Sequence, residues 1–219
     1  TQWTFGGHPR QSAKPLHVGA ARLLGFRWPR QGDVSLIDCG VVASDGLERH
    51  VDADGIVCLS PLKGEPAAAD GLRALLSDAF GSKWSAAALN QLIDEAEFEG
   101  KSLEEWLRDG FFEQHCELFQ QRPFVWQIWD GLKNGFSALV NYHRLAAPSG
   151  EGRRTLEKLI YTYLGDWIDR QRADQKADIE GADARVAAAE HLKRELERIL
   201  AGEPPYDIFV RWKPLHQQP

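Results

Sequence analysis

The pattern of this 219-residue sequence predicts an α+β protein, mostly helical, with a β-hairpin and small sheet and a C-terminal antiparallel helical hairpin. Three observations carry the prediction. Apolar residues recur at helical spacing from Pro66 to Trp106 and again from Leu156 to Leu200. Two aromatic and β-branched runs flank a stretch with a glycine at each shoulder, at 122–143. The stretch Gly32–Ser60 has no helical period and breaks into short apolar runs between Asp and Gly.

Taken in order, Pro15 suits the first turn of a helix whose face is Leu16, Ala20, Leu23 and Leu24, and Gly25 ends it. Val34–Ile37 and Gly55–Leu59 read as strands. From Pro66 one helical stripe is Leu72, Leu75, Leu76 and Ala79, and a second is Leu89, Leu92, Ile93 and Ala96, punctuated by Gly81 and Gly100. Ser102-Leu103-Glu104-Glu105 spells a capping box that opens a short helix carrying Trp106. The hairpin follows: Arg122–Trp129, the turn Asp130–Gly135, then Phe136–His143. Leu156, Leu159, Ile160, Tyr163, Leu164 and Trp167 make one helical face. Val186, Ala189, Leu192, Leu196, Ile199 and Leu200 make its antiparallel partner, closed by Gly202. Phe209–Trp212 reads as a further strand with no later run to pair with. Two regions result: 1–118, a basic strand/helix segment followed by an acidic helical region, and 119–219, the β-hairpin plus the helical hairpin.

Composition narrows the function classes. With 43 % apolar and 26 % charged residues the chain is an ordinary globular one. No run approaches the roughly 18 uncharged apolar residues of a membrane helix, so no membrane partner is expected. Nothing resembles a secretory signal, and a cytoplasmic location is expected. The absence of methionine and the opening Thr1-Gln2-Trp3 lead us to expect part of a longer protein. Net charge is −6, against a free-standing binder held by phosphate contacts alone. The charge is segregated: residues 1–32 carry five bases (Arg10, Lys14, Arg22, Arg27, Arg30) and no acid, whereas residues 33–117 carry eighteen acids and six bases. Such a block either forms solvated helix faces or turns nucleic acid toward the basic zones.

Cys39, Cys58 and Cys116 are too widely spaced for a metal knuckle and odd in number, so reduced thiols are expected. His115 and Cys116 are neighbours on a helix, about 100° apart, and so do not form a nucleophile–base pair. Glu203-Pro204-Pro205-Tyr206 is like the Asn/Asp-Pro-Pro-Tyr motif of adenine-amino methyltransferases. It follows a helix and opens on Glu, so a helix stop is the better reading. No glycine loop of dinucleotide or adenosylmethionine type, no Walker motif and no His-Glu-x-x-His occurs. No catalytic residue, metal ligand or cofactor-binding residue is therefore assigned.

The candidate DNA-binding residues are Arg122, Lys133, Asn134, His143 and Arg144. Lys, Arg and Asn reach phosphates and purine edges, and a hairpin fits a major groove. The plainer alternative is that Lys-Asn-Gly is a good turn and His143 packs. Trp126, Trp129 and Phe124 are expected in the core rather than stacked on bases.

Arg122-Pro123-Phe124-Val125-Trp126, the Asp130-Gly131 turn and Phe136–Arg144 resemble a stretch of the large adenine-specific DNA methyltransferases of bacterial phage-defence and restriction-modification systems, the BREX-type and DISARM-type enzymes among them. Trp3–His8 and Pro204–Ile208 are similar to further pieces. The resemblance covers residues 120–213 best and implies the C-terminal, non-catalytic region of such an enzyme. S-adenosylmethionine would belong to the parent, with no cofactor in this chain, and the catalytic methyltransferase domain of the same chain would be its neighbour. Duplex DNA would be reached through the parent, whose target adenine is flipped for methylation. The competing expectation is an acidic helical protein–protein interaction module without DNA contact.

Overall fold

In the computed structural model the described residues are 50, 52–64, 67–81, 86–95, 98–119, 123–145 and 150–203. The expected helix at 16–24, the strand Val34–Ile37, the basic cluster Arg10–Arg30, Arg122 and Phe209–Trp212 lie outside them.

The hairpin forms where its pattern placed it. Strand β1 (Ile56–Cys58) is followed, after four helices, by β2 (Val125–Trp129) and β3 (Ser137–Asn141). β2 and β3 pair antiparallel from Val125↔Asn141 to Trp129↔Ser137, and β1 pairs antiparallel with the other side of β3, giving the order β1-β3-β2. The pairing of β1 with β3 crosses the expected 118/119 division. All five β3 residues are buried, because helices cover both faces of the sheet. Leu139 packs with Leu72, Leu75, Ile93, Trp106 and Phe111 on one face. Ala138 and Val140 point the opposite way, as alternation requires, into a core of Leu156, Ile160, Leu164, Trp167, Leu196 and Leu200.

The first layer consists of α1 (Ala68–Phe80), α2 (Ala86–Glu95), α3 (Leu103–Asp109) and α4 (Phe111–Leu118). The capping box opens α3: Ser102 Oγ accepts from Glu105 N–H at 3.2 Å, and Glu105 Oε2 accepts from Ser102 N–H at 2.9 Å. Gly110 lies between α3 and α4, and the position calls for glycine because a Cβ there would lie 2.2 Å from the Phe98 ring. The apolar pattern gives no separate signal for α4.

The second layer is a rod and its partner. The rod comprises α6 (Glu151–Lys158), a π-helical turn (Leu159–Leu164) and α7 (Gly165–Lys176); α8 (Ala182–Leu200) returns antiparallel. Arg172–Glu190 at 2.8 Å and Gln175–Asp183 at 2.5 Å fasten one end, and Arg153 Nη1 donates to the Leu200 carbonyl at 3.2 Å at the other. This is the expected helical hairpin, with a π turn that apolar periodicity does not reveal. No helix among the described residues is long and apolar enough to cross a membrane.

Two expectations are corrected. Trp126 and Trp129 are 39 % and 53 % exposed, not core residues, because β2 is the edge strand and the helical layers centre on β3; only Phe124 of the three is buried. The second hairpin run also stops at Asn141. Its Oδ1 accepts from the N–H groups of His143 (3.0 Å) and Arg144 (3.2 Å), which turns Tyr142–Leu145 into the helical turn α5.

Candidate nucleic-acid interface

The loop between β2 and β3 is built around one carboxylate. Asp130 Oδ1 accepts from Leu132 N–H at 3.0 Å and Oδ2 from Phe136 N–H at 2.8 Å. The Gly135 N–H donates to the Leu132 carbonyl at 3.0 Å. Gly135 is required, since a Cβ would lie 2.0 Å from Asp130 Oδ1. This internal bonding leaves Lys133 and Asn134 exposed at the tip on a backbone that is already tied.

Electrostatics at the tip are mixed. Arg108 binds Asp109 bidentately at 2.6 and 2.7 Å. These bonds hold the Asp109 carboxyl below its ordinary range, with a smaller contribution from the Lys133 charge. Part of the Lys133 field is thus spent on Asp109.

His143 and Arg144 lie at the far end of β3, about 20 Å from the tip at strand spacing. Burial pushes the His143 imidazole below its usual pKa, so it is neutral at pH 7. Arg144 Nη1 donates to the Ala53 carbonyl, and its stem packs against Gly55, whose added Cβ would meet Arg144 Cδ at 2.8 Å. That arginine fastens the turn entering β1. Of the candidate residues, the structure brings Lys133 and Asn134 together, puts His143 and Arg144 in a separate place, and leaves Arg122 outside the described residues.

Aromatic surface is what sequence reasoning misses here. The Trp126 ring stacks on Tyr142 with centroids 5.0 Å apart and planes at 17°. Trp129 stands exposed beside the loop. The only signal for this exposure in the sequence is that β2 belongs to a hairpin, and nothing there says which hairpin strand lies outermost.

His115 has a structural role. Its Nε2 accepts from the Phe124 and Val125 N–H groups at 3.1 and 3.2 Å, inside a ring cluster of Phe111, Phe119 and Phe124. Burial drives its pKa down to about 3. Both bonds need the Nε2 lone pair, so it is not a base for the Cys116 thiol, whose pKa burial raises.

Among the described residues no group of three or more His, Cys, Asp or Glu is arranged to hold a metal ion. Glu203, the first residue of the Pro-Pro-Tyr stretch, is bound by Arg198 Nε at 2.8 Å, and its N–H closes α8 on the Arg198 carbonyl. It behaves as a helix terminus. Compared with protein-family models the chain matches none, and no curated protein matches it.

Proposed function

We propose that this chain is the non-catalytic, DNA-seating part of an S-adenosylmethionine-dependent adenine-N6 DNA methyltransferase of a restriction-modification or phage-defence system, acting in the cytoplasm. The observation that carries the reading is the tied hairpin tip. Lys133 and Asn134 project from a loop whose backbone is held by Asp130, with exposed Trp129 at its base. A protruding, pre-organised loop with one cation and one carboxamide suits a groove: Lys reaches a phosphate and Asn pairs with an adenine edge. The resemblance at 122–144 supplies the enzyme class. The cofactor and the methyl transfer belong to the catalytic domain of the parent, and this segment positions the duplex beside it.

The test is duplex binding by the parent enzyme as a function of salt. Lys133→Ala is expected to weaken binding on every sequence and to lower the slope of log K against log salt by about 0.9, the contribution of one neutralised phosphate. Asn134→Ala is expected to cost about 1–3 kcal/mol on the cognate site only. Unchanged affinity and slope in both variants would refute the reading. They would favour the second one, an acidic protein–protein interaction module, which the eighteen acids of 33–117 and the exposed Trp126, stacked on half-buried Tyr142, support.

A further inference from the structure

Trp129 is the most exposed tryptophan among the described residues, at 53 %. Its backbone is nonetheless held firmly. Trp129 pairs with Ser137 across the hairpin, the N–H of the next residue donates to the Phe136 carbonyl at 3.0 Å, and the Asp130 carboxylate ties the loop beyond. Alternation puts its side chain on the face of Val125 and Gln127, away from Trp126 and Ile128. On that face the end of α3 meets the sheet: Gln127 Nε2 donates to the Arg108 carbonyl at 2.9 Å and to Ser137 Oγ at 3.2 Å. The helix stops at Asp109, and its cover ends beside Trp129. Trp126 has Tyr142 against its ring, whereas Trp129 has no ring against it among the described residues.

We propose that Trp129 is a base-stacking residue, whose ring takes the open face of a nucleobase where the stack of duplex DNA is interrupted, while Lys133 holds a neighbouring phosphate. The proposal rests on the DNA-seating reading and adds to it the feature of the duplex that the tip selects. The charges beside the ring favour a base over a second phosphate. Arg108 is bound bidentately by Asp109, so that pair is close to neutral, and Lys133 is left as the cation of the tip. One cation releases little counterion, and the Asp109 carboxylate repels phosphate but not the neutral face of a base. Stacking is therefore the larger gain open to this surface, and it does not depend on salt. Base stacking on an aromatic side chain contributes about 5- to 150-fold in affinity. An indole on a fixed strand loses only two side-chain torsions when it binds, so little of that gain is spent on ordering. Bases inside an intact duplex are covered on both faces by their neighbours. A free face exists at an end, at a gap, or where one base has left the helix.

The test compares binding of the 219-residue chain to two duplexes of one sequence, fully paired or with an abasic position next to a 2-aminopurine. Wild type should bind the abasic duplex about 5- to 150-fold more tightly and quench the 2-aminopurine fluorescence. Trp129→Ala should bring that ratio to about one, with the affinity for the paired duplex and its salt slope unchanged. Trp126→Ala, on the other face, should leave the ratio as it is. A wild-type ratio near one overturns the proposal, as does a ratio that survives Trp129→Ala or falls equally with Trp126→Ala. If Trp129→Ala melts well below wild type, Trp129→Leu decides, because it keeps an apolar strand residue without a ring: loss of the ratio upholds the proposal, and its persistence overturns it. Lys133→Ala separates this outcome from failure of the seating reading. It should weaken both duplexes alike and cancel in the ratio, so a ratio near one with the Lys133 effect intact overturns the stacking alone, whereas two duplexes indifferent to Lys133→Ala overturn the seating reading. Binding to neither duplex overturns both.

Discussion

Replacing His115 by glutamine separates its hydrogen-bonding role from its titration. The imidazole is fully buried and accepts two backbone N–H bonds at the start of β2. Its folded pKa is about 3, lowered by burial, against about 6.5 in the unfolded chain. The folded state therefore holds the neutral form while the unfolded state takes up a proton below about pH 6.5. The stabilisation is complete above that value and is lost progressively as pH falls toward 3. At about 1.36 kcal/mol per pH unit the loss is about 2 kcal/mol at pH 5 and approaches 4–5 kcal/mol near pH 3. The substituted carboxamide keeps an accepting oxygen but does not titrate. Urea unfolding from pH 8 to 4, followed by circular dichroism, should show H115Q less stable than wild type at pH 8. The gap should narrow by about 2 kcal/mol by pH 5, because only wild type carries the histidine's pH dependence. The carboxylates contribute to both proteins and cancel. Parallel stability profiles would refute the neutral, accepting imidazole.

Leu139→Ala, at the centre of one core, should cost about 2–5 kcal/mol in chemical unfolding. Trp126→Ala should cost about 1–2 kcal/mol at most, since the ring is partly exposed and, among the described residues, its ring partner is Tyr142; a loss above about 3 kcal/mol would restore it to the core. Gly135→Ala should displace the Asp130 carboxylate from its two loop N–H groups, which amide exchange at Leu132 and Phe136 would report as lost protection.

Local signals carried much of the fold. The capping box at Ser102, the glycine-shouldered turn after Trp129 and the apolar stripes of the helical hairpin depend on neighbours a few residues away, and the α+β class followed from them. The exposed Lys133 and Asn134 were legible for the same reason, because the residues that build a turn also choose which side chains leave it. Strand order was not legible. Val-Trp-Gln-Ile-Trp and Ser-Ala-Leu-Val-Asn are both acceptable strands, and only the docking of β1 on β3, from more than 75 residues earlier in the sequence, made β3 central and β2 an edge. That one long-range pairing decided that Trp126 and Trp129 face out. Arg144 shows the same limit. Its charge and its place after the strand were visible in the sequence, but its bond to Ala53 arises where segments 91 residues apart meet, and no local pattern encodes that meeting.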